Sequence, residues 1–127
     1  MDKPVVIHKK DGPVHTVLIP DIKVLVSNND GSWFAQGLEI DYAAQGQSLQ
    51  DVKNKFSEGL ERTLDAHLAT YKNIKGVLQL APKEYWDQYF GQVEQWVYTH
   101  GSVHVATADI TVTLKYVEPR AELAGAA

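Results

Sequence analysis

Residues 22–71 constrain the fold most strongly, because three strand patterns and a long helix pattern follow one another there. Ile22–Ser27 is β-branched and aliphatic, and Ser32–Leu38 is its return strand across the Asp-Gly turn of NNDGS. Asp-Gly between two apolar runs indicates a hairpin, since both turn positions tolerate positive φ. Tyr42–Gly46 is short enough for an edge strand. Residues in the return strand alternate between two faces of the sheet, with Trp33, Ala35 and Gly37 on one and Phe34, Gln36 and Leu38 on the other.

The helix that follows is predicted by its cap and its apolar stripe. Ser48 is a typical N-cap residue, and Asp51 occupies the fourth position of a capping box. Gly59 lies inside the predicted helix, where glycine costs about 1 kcal/mol against alanine, so close packing on a sheet would explain it. We expect the helix to end near Asn73. The stripe repeats at spacings of three and four and consists of Leu49, Val52, Phe56, Leu60, Leu64, Leu68 and Tyr71.

Two further strands are predicted before this segment. Val5–His8 and Val14–Ile19 flank Asp11-Gly12, which indicates a second hairpin, although Pro13 cannot donate to a ladder. Pro20-Asp21 is read as a break between this hairpin and the next strand.

The C-terminal half contains a second helix and a β-rich end. Pro82 suits the first turn of a helix, and His100-Gly101 closes it. The preceding IKGVLQLAP fits either a strand or an extended linker. After the helix, alternating apolar residues in SVHVATADITVTLKYVEP predict a strand, and these are Ile110, Val112, Leu114 and Tyr116.

The order of elements predicts an α+β fold with a mainly antiparallel sheet, because strands and helices do not strictly alternate. The expected organisation is one domain with four parts. They are an N-terminal β-hairpin extension over 1–21, a core over 22–72, the second helix and C-terminal strand over 73–118, and a disordered tail over 119–127.

Composition limits the chemistry that this chain can perform. It has no cysteine, which excludes disulfides and thiolate sites, and its formal net charge is −4. The first residues lack the apolar stretch of a signal peptide, and no apolar run is long enough to span a membrane. We therefore expect a soluble, cytoplasmic protein. The basic run His8–Lys10 is interpreted as a solvated hairpin tip rather than a phosphate contact, and DNA is not an expected partner.

The region 22–68 resembles the HicB-like antitoxin domain, in which a strand, an Asp-Gly turn, an aromatic return strand and a short third strand precede a capped amphipathic helix. The matching segments are Val24–Val26, Asp30-Gly31, Trp33–Ala35, Ala43–Gly46 and Ser48–Asp51. The resemblance implies a truncated RNase-H-like fold, homodimers or tetramers, and a small RNA-cleaving HicA-type toxin as partner. Members that repress their own operon carry a C-terminal DNA-binding domain, whereas here an aromatic helix and a β-rich end follow.

Candidate catalytic residues are few. An RNase-H-type nuclease needs several carboxylates around two metals, and the candidates Asp30, Glu39 and Asp41 all occupy predicted turns, where Asp serves the backbone. His100 and His104 meet only if the loop between them bends, and a structural zinc normally takes four ligands. We therefore expect no enzyme activity, no metal and no cofactor. His67 is expected at the boundary of the helix stripe, with its polar edge in water.

Half of all Phe, Trp and Tyr residues cluster in and after the second helix. Such spacing is typical of a core face, but tyrosine and tryptophan also dominate interfaces. The apolar face is wider than one sheet requires, so we expect part of it to form an oligomer or ligand surface. The cluster is Tyr85, Trp86, Tyr89, Phe90, Trp96 and Tyr98, and the expected surface residues are Trp86, Tyr89, Phe90 and Trp96.

Two functions are therefore carried forward. The first is a non-enzymatic HicB-like binding protein that oligomerises and blocks a basic toxin by steric occlusion, with Asp30, Trp33, Glu39 and Asp41 as partner-binding residues. The second is an oligomeric protein that binds a small molecule or nucleotide in a pocket lined by Trp33, Trp86 and Tyr89. On both, Trp86 is expected to contribute more to assembly or binding than to folding.

Overall fold

Five antiparallel strands and two α-helices form the part of the chain that the structure, a computed structural model, describes: residues 5–94 and 103–119, with side chains at 5–90 and 107–119. The α+β class and the antiparallel sheet are confirmed. In chain order the elements are β1 Ile7–Asp11, β2 Val14–Asn29, β3 Ser32–Gly37, β4 Ala43–Gly46, α1 Leu49–Tyr71, a 3₁₀ turn at Lys75–Val77, α2 Lys83–Glu94 and β5 Val103–Val117.

Strand β2 organises the sheet because it pairs with three other strands. Along one edge, Val14–Leu18 pairs with β1 and Val24–Asn29 pairs with β3, so β1 and β3 lie end to end. Along the other edge, β5 pairs with β2 from Val14 to Asn29. Strand β4 pairs with β3 and is the outermost strand on that side among the described residues.

The predicted break at Pro20-Asp21 is wrong, because these residues form a bulge inside one continuous strand. The register between β2 and β5 shifts between Ile19 and Ile22, and Asp21 takes a positive φ of 51°. Its backbone N–H donates to Thr111 Oγ1 on β5 at 3.1 Å. Pairing with β5 on both sides of the bulge therefore carries the strand through a sequence that indicates a turn.

Both predicted hairpins are present, with a different boundary in the first. Strand β1 begins at Ile7 rather than Val5 and runs to Asp11 rather than His8, because Asp11 pairs with Val14 across the two-residue loop Gly12-Pro13. The loop keeps Pro13 out of the ladder, which resolves the difficulty that a proline cannot donate. In the second hairpin, Asp30-Gly31 has positive φ at both positions, as a type I′ turn requires.

The two helices cover opposite faces of the sheet. The larger core lies under α1, where Val24 and Val26 of β2 meet the buried stripe of the helix. A smaller core lies on the opposite face, where Leu25 packs with Trp86 and Tyr89 of α2. This alternation along β2 follows from the period of two in a strand. The β5 residues predicted to alternate also behave as expected, since Ile110, Val112, Leu114 and Tyr116 all belong to the α1-side core or pack against it.

Helix α1 is capped as the sequence predicts. Ser48 Oγ accepts a hydrogen bond from the Asp51 N–H at 3.0 Å, while Asp51 Oδ2 accepts one from the Gln47 N–H at 2.8 Å. Gly59 is buried, but the group above it is the Tyr42 hydroxyl, which a Cβ at position 59 would overlap. No helix in the described part of the chain is both long and apolar enough to cross a membrane.

The segment between the helices carries the chain around the end of β3 to the other face of the sheet. The 3₁₀ turn is followed by backbone without regular secondary structure, in which Gln79 O accepts from the Asp41 N–H at 2.7 Å and the Ala81 N–H donates to Leu38 O at 2.8 Å. These bonds place the start of α2 beside the end of β3. The predicted end of α2 and the predicted tail over 119–127 lie almost wholly outside the described residues.

Candidate functional site

The predicted acidic residues do not form one surface. Asp30 occupies the turn between β2 and β3, whereas Glu39 and Asp41 follow the far end of β3. The six residues of β3 separate the two ends by about 20 Å at the usual strand rise of about 3.3 Å per residue. The carboxylates proposed as partner contacts or as metal ligands therefore do not converge.

Glu39 is a structural residue rather than a contact residue. It is 5% exposed, and its carboxylate accepts hydrogen bonds from the Lys23 backbone N–H at 2.7 Å and from Lys23 Nζ at 2.8 Å. A buried carboxylate needs such partners. The pair fixes the chain after β3 to strand β2, so Glu39 cannot meet a partner without opening the fold.

The expected pocket of three aromatic residues is wrong, because its members lie on opposite faces of the sheet. Trp33 packs against the α1-side core, whereas Trp86 and Tyr89 are in the α2-side core. Trp86 is 2% exposed, which corrects the expectation that it forms an outer surface, while Phe90 is 46% exposed and stacks on the Trp86 ring. Trp96, His100 and the side chain of His104 lie outside the described residues.

Tyr89 connects α2 to the sheet. Its hydroxyl lies near Thr107 of β5, and burial, with the nearby charge of Asp109, raises the pKa of that hydroxyl. The pKa change follows because both effects disfavour the charged phenolate. Tyr89 is therefore a positioning residue for the helix, and it is buried rather than available to a ligand.

A cavity of about 310 Å³ does exist on the α2 face, between the helix and the outer strands. We refer to it as the β4–α2 pocket. Its floor comes from the sheet and its far wall from α2. The residues that line it are Leu25, Ser27, Phe34, Ala35, Gln36, Ala43, Ala44, Tyr85 and Gln88.

The β4–α2 pocket combines an apolar interior with a few polar groups. Phe34, which lines the pocket, is 40% exposed. Ser27, Gln36 and Gln88 supply the polar atoms at its wall. The pocket opens beside β4, whose outer edge has no partner strand among the described residues. An unpaired strand edge next to an apolar pocket is the arrangement that binds an extended peptide segment.

The margin of the pocket is acidic. Asp41 Oδ1 accepts a hydrogen bond from Gln36 Nε2 at 2.8 Å, and Glu84 lies one helical turn before Gln88 on α2. Residues four apart on a helix are neighbours, so both carboxylates lie next to pocket side chains. Lys83, the basic residue at the start of α2, is bound to Asp87 at 2.8 Å. A basic partner is therefore favoured at this margin.

No group of three His, Asp or Glu side chains within the described residues is arranged to hold a metal ion. A scan against models of protein families, and searches of curated proteins and of solved structures, found nothing that matches this chain.

The sequence contains part of the signal for the observed pocket. The alternation in β3 already separates Trp33 from Phe34, and the periodicity of α2 separates Tyr85 from Trp86 by about 100° around the helix. What the alternation alone leaves open is which face of the sheet α2 covers. That choice depends on the 3₁₀ turn and the two backbone bonds beyond it, and it makes Phe34 and Tyr85 the pocket residues.

Proposed function

We propose that this chain is a non-enzymatic binding protein of the HicB-like type, which captures an extended segment of a basic partner at β4 and the β4–α2 pocket. The partner class is a small RNA-cleaving toxin of the HicA type, and the mechanism is steric occlusion. The expectation of an acidic contact surface is retained only for Asp41, because Glu39 is buried and Asp30 is remote.

One observation carries this proposal, namely the open β4 edge beside a pocket with an exposed aromatic wall. In β-strand addition, backbone hydrogen bonds provide affinity and a side pocket provides specificity. Ala43 lies both on β4 and in the pocket lining, so one segment can use the edge and the pocket together. The acidic margin favours a segment with a basic residue next to an apolar one.

The alternative is a small-molecule or nucleotide-binding protein. The volume of about 310 Å³ is at the lower end of the range of about 300–1,000 Å³ that is usual for ligand sites. The opening along a strand edge favours a chain segment over an enclosed molecule, which is why the protein partner is preferred.

The test first asks whether a gene next to that of this chain encodes a small basic HicA-type protein, and then produces the two proteins together in bacteria. The native chain is expected to restore growth and to bind the purified toxin in a calorimetric titration. Ala43→Arg places a long side chain in the pocket mouth at an exposed position, and it should weaken binding at least about tenfold, which corresponds to about 1.4 kcal/mol. The toxin should then inhibit growth again.

Ala69→Arg is the matched control, because it makes the same substitution at an exposed position on α1, which covers the opposite face of the sheet. It should bind the toxin as the native chain does. Equal loss in both variants, or no growth rescue by the native chain, would contradict the proposal. Saturable binding of a nucleotide that Ala43→Arg alone abolishes would support the small-molecule function instead.

A further inference from the structure

A chain of three titratable side chains joins three strands at the other end of the sheet. His15 on β2 is fully buried, at 0% exposure. Its Nδ1 lies 2.8 Å from His8 Nε2 on β1, and its Nε2 lies 2.5 Å from Glu118 Oε2, just after β5. The rings of His8 and His15 are also stacked, with centroids 5.1 Å apart. The proposed function uses none of these residues.

Few other charged groups lie near these three side chains. Lys10 Nζ lies 3.7 Å from Glu118 Oε2, and Lys72, after α1, lies over the Tyr116 ring and attracts the Glu118 carboxylate. Tyr116 in turn packs against the His15 ring. Lys9, Asp11 and Lys115 alternate with these residues along β1 and β5, so they lie on the other face of the sheet.

The hydrogen bonds fix where the protons are. The Glu118 carboxylate can only accept, so His15 Nε2 carries the hydrogen and His15 Nδ1 is an acceptor. His8 Nε2 must then donate to it, which leaves His8 Nδ1 as the one nitrogen able to take up a proton without loss of a bond. A second proton must go to His15 Nδ1. His8 Nε2 and His15 Nδ1, which lie 2.8 Å apart, would then both carry a hydrogen, and neither could accept a hydrogen bond from the other.

The backbone adds one more connection at this point. The Glu118 N–H donates to Pro13 O at 2.8 Å, so the turn of the first hairpin is held directly to the end of β5. The three side chains therefore fasten the β1–β2 hairpin and the end of β5 to each other. Breaking the imidazole pair removes the only side-chain hydrogen bond between β1 and β2 that the structure records among the described residues.

We propose that the His8–His15–Glu118 chain is a proton-operated latch that holds β1 in the sheet and releases it when both imidazoles become charged. Burial and the nearby His15 lower the pKa of His8, so the closed latch resists protonation more than the open one. Opening therefore takes up at least one proton. It becomes more favourable as the pH falls below about 6.5, the ordinary value for histidine. This inference does not depend on the proposed function.

The test is amide hydrogen exchange of β1 in the intact chain between pH 7.5 and 5.0, measured by NMR and corrected for intrinsic exchange rates. Protection of the β1 amides should fall with pH by about tenfold per pH unit for each proton that opening takes up. The amides of β3 should stay protected. A β1 protection that does not change with pH would overturn the proposal.

His8→Gln is the decisive variant, because an amide can either donate to His15 Nδ1 or accept from it. It should keep β1 protected at pH 5.0. His67→Gln is the control, since it removes an imidazole on α1 that packs on Tyr71 away from the latch, and it should behave as the native chain does. Equal acid-induced opening in His8→Gln would contradict the latch.

A second readout needs no variant. In the native chain the imidazole ¹⁵N shifts should show His15 protonated on Nε2 alone at pH 7.5, and both rings doubly protonated over the range in which β1 opens. A His15 ring that is already doubly protonated at pH 7.5 would overturn the proposal even if His8→Gln failed to fold.

Discussion

At the scale of single residues, Gly59 shows how an aromatic hydroxyl can dictate a glycine inside a helix. Gly→Ala inside a helix normally stabilises by about 1 kcal/mol. Here the new methyl would overlap the Tyr42 hydroxyl, whose ring is held edge-on against Phe56 with centroids 5.4 Å apart. We therefore expect Gly59→Ala to lower the free energy of unfolding in the native background.

Tyr42→Phe removes the overlapping oxygen, so the same Gly59→Ala change should cost less in that background. A double-mutant cycle measured by urea unfolding should give a coupling of about 0.5–3 kcal/mol. Additive effects of the two substitutions would show that the tyrosine hydroxyl is not the reason for the glycine.

Trp86 and Phe90 stack on each other but should respond very differently to truncation. Trp86 is buried in the α2-side core, so Trp86→Ala should cost about 3–5 kcal/mol of stability. Phe90→Ala, at a half-exposed position, should cost no more than about 1 kcal/mol. Urea unfolding of the two variants compares them directly, and a Trp86→Ala protein with native stability would restore the sequence-based view of Trp86 as an interface anchor.

At the scale of elements, the bulge in β2 depends on one residue with left-handed backbone. Asp21 has a φ of 51°, which glycine adopts without strain and β-branched residues resist. Asp21→Gly should therefore be neutral or stabilising, whereas Asp21→Val should destabilise by about 1–2 kcal/mol. Thermal unfolding of both variants tests this, and an equal loss in both would place the effect in the aspartate side chain rather than in the backbone.

The elements that could be predicted from the sequence are those fixed by local chemistry. The Asp30-Gly31 turn, the Ser48 cap and the helical stripe each depend on residues within a few positions of each other. The continuity of β2 could not be predicted in this way. It comes from pairing with β5, whose residues lie far along the chain and whose effect overrides the Pro20-Asp21 turn signal.

The candidate site, too, depends partly on local residues and partly on contacts between distant parts of the chain. Alternation correctly separated Phe34 from Trp33, but the face covered by α2 was set by nonlocal bonds such as the one from Ala81 to Leu38. The His8–His15–Glu118 latch could not be predicted from the sequence pattern at all. His8 and His15 flank a predicted hairpin turn, yet Glu118 is 103 positions from His15 and nothing local connects them.

At the scale of the whole molecule, three strands have an unpaired edge among the described residues, and this favours the expected self-association. Strands β1 and β5 each pair only with β2 over the part described, and β4 pairs only with β3. Long open edges and exposed aromatics are usually covered. We therefore expect a homodimer or tetramer in sedimentation velocity at micromolar concentration, and a single species near 14.1 kDa would contradict this.

The acid stability of the molecule should depend on Glu118. The hydrogen bond from His15 holds the pKa of its carboxyl below the ordinary value of 4.5, and Lys10 and Lys72 act in the same direction. A depressed folded-state pKa means that the contribution to stability is present above about pH 4.5 and is lost as the pH falls through the folded value. Glu118→Gln should therefore be less stable than the native chain at pH 7, and the difference should shrink toward zero near pH 3.

Urea unfolding at pH 7, 4.5 and 3 measures the difference, with Glu84→Gln on α2 as the matched control that should follow the native chain throughout. A gap between native and Glu118→Gln that stayed constant with pH would show that the glutamate acts through packing rather than through its charge.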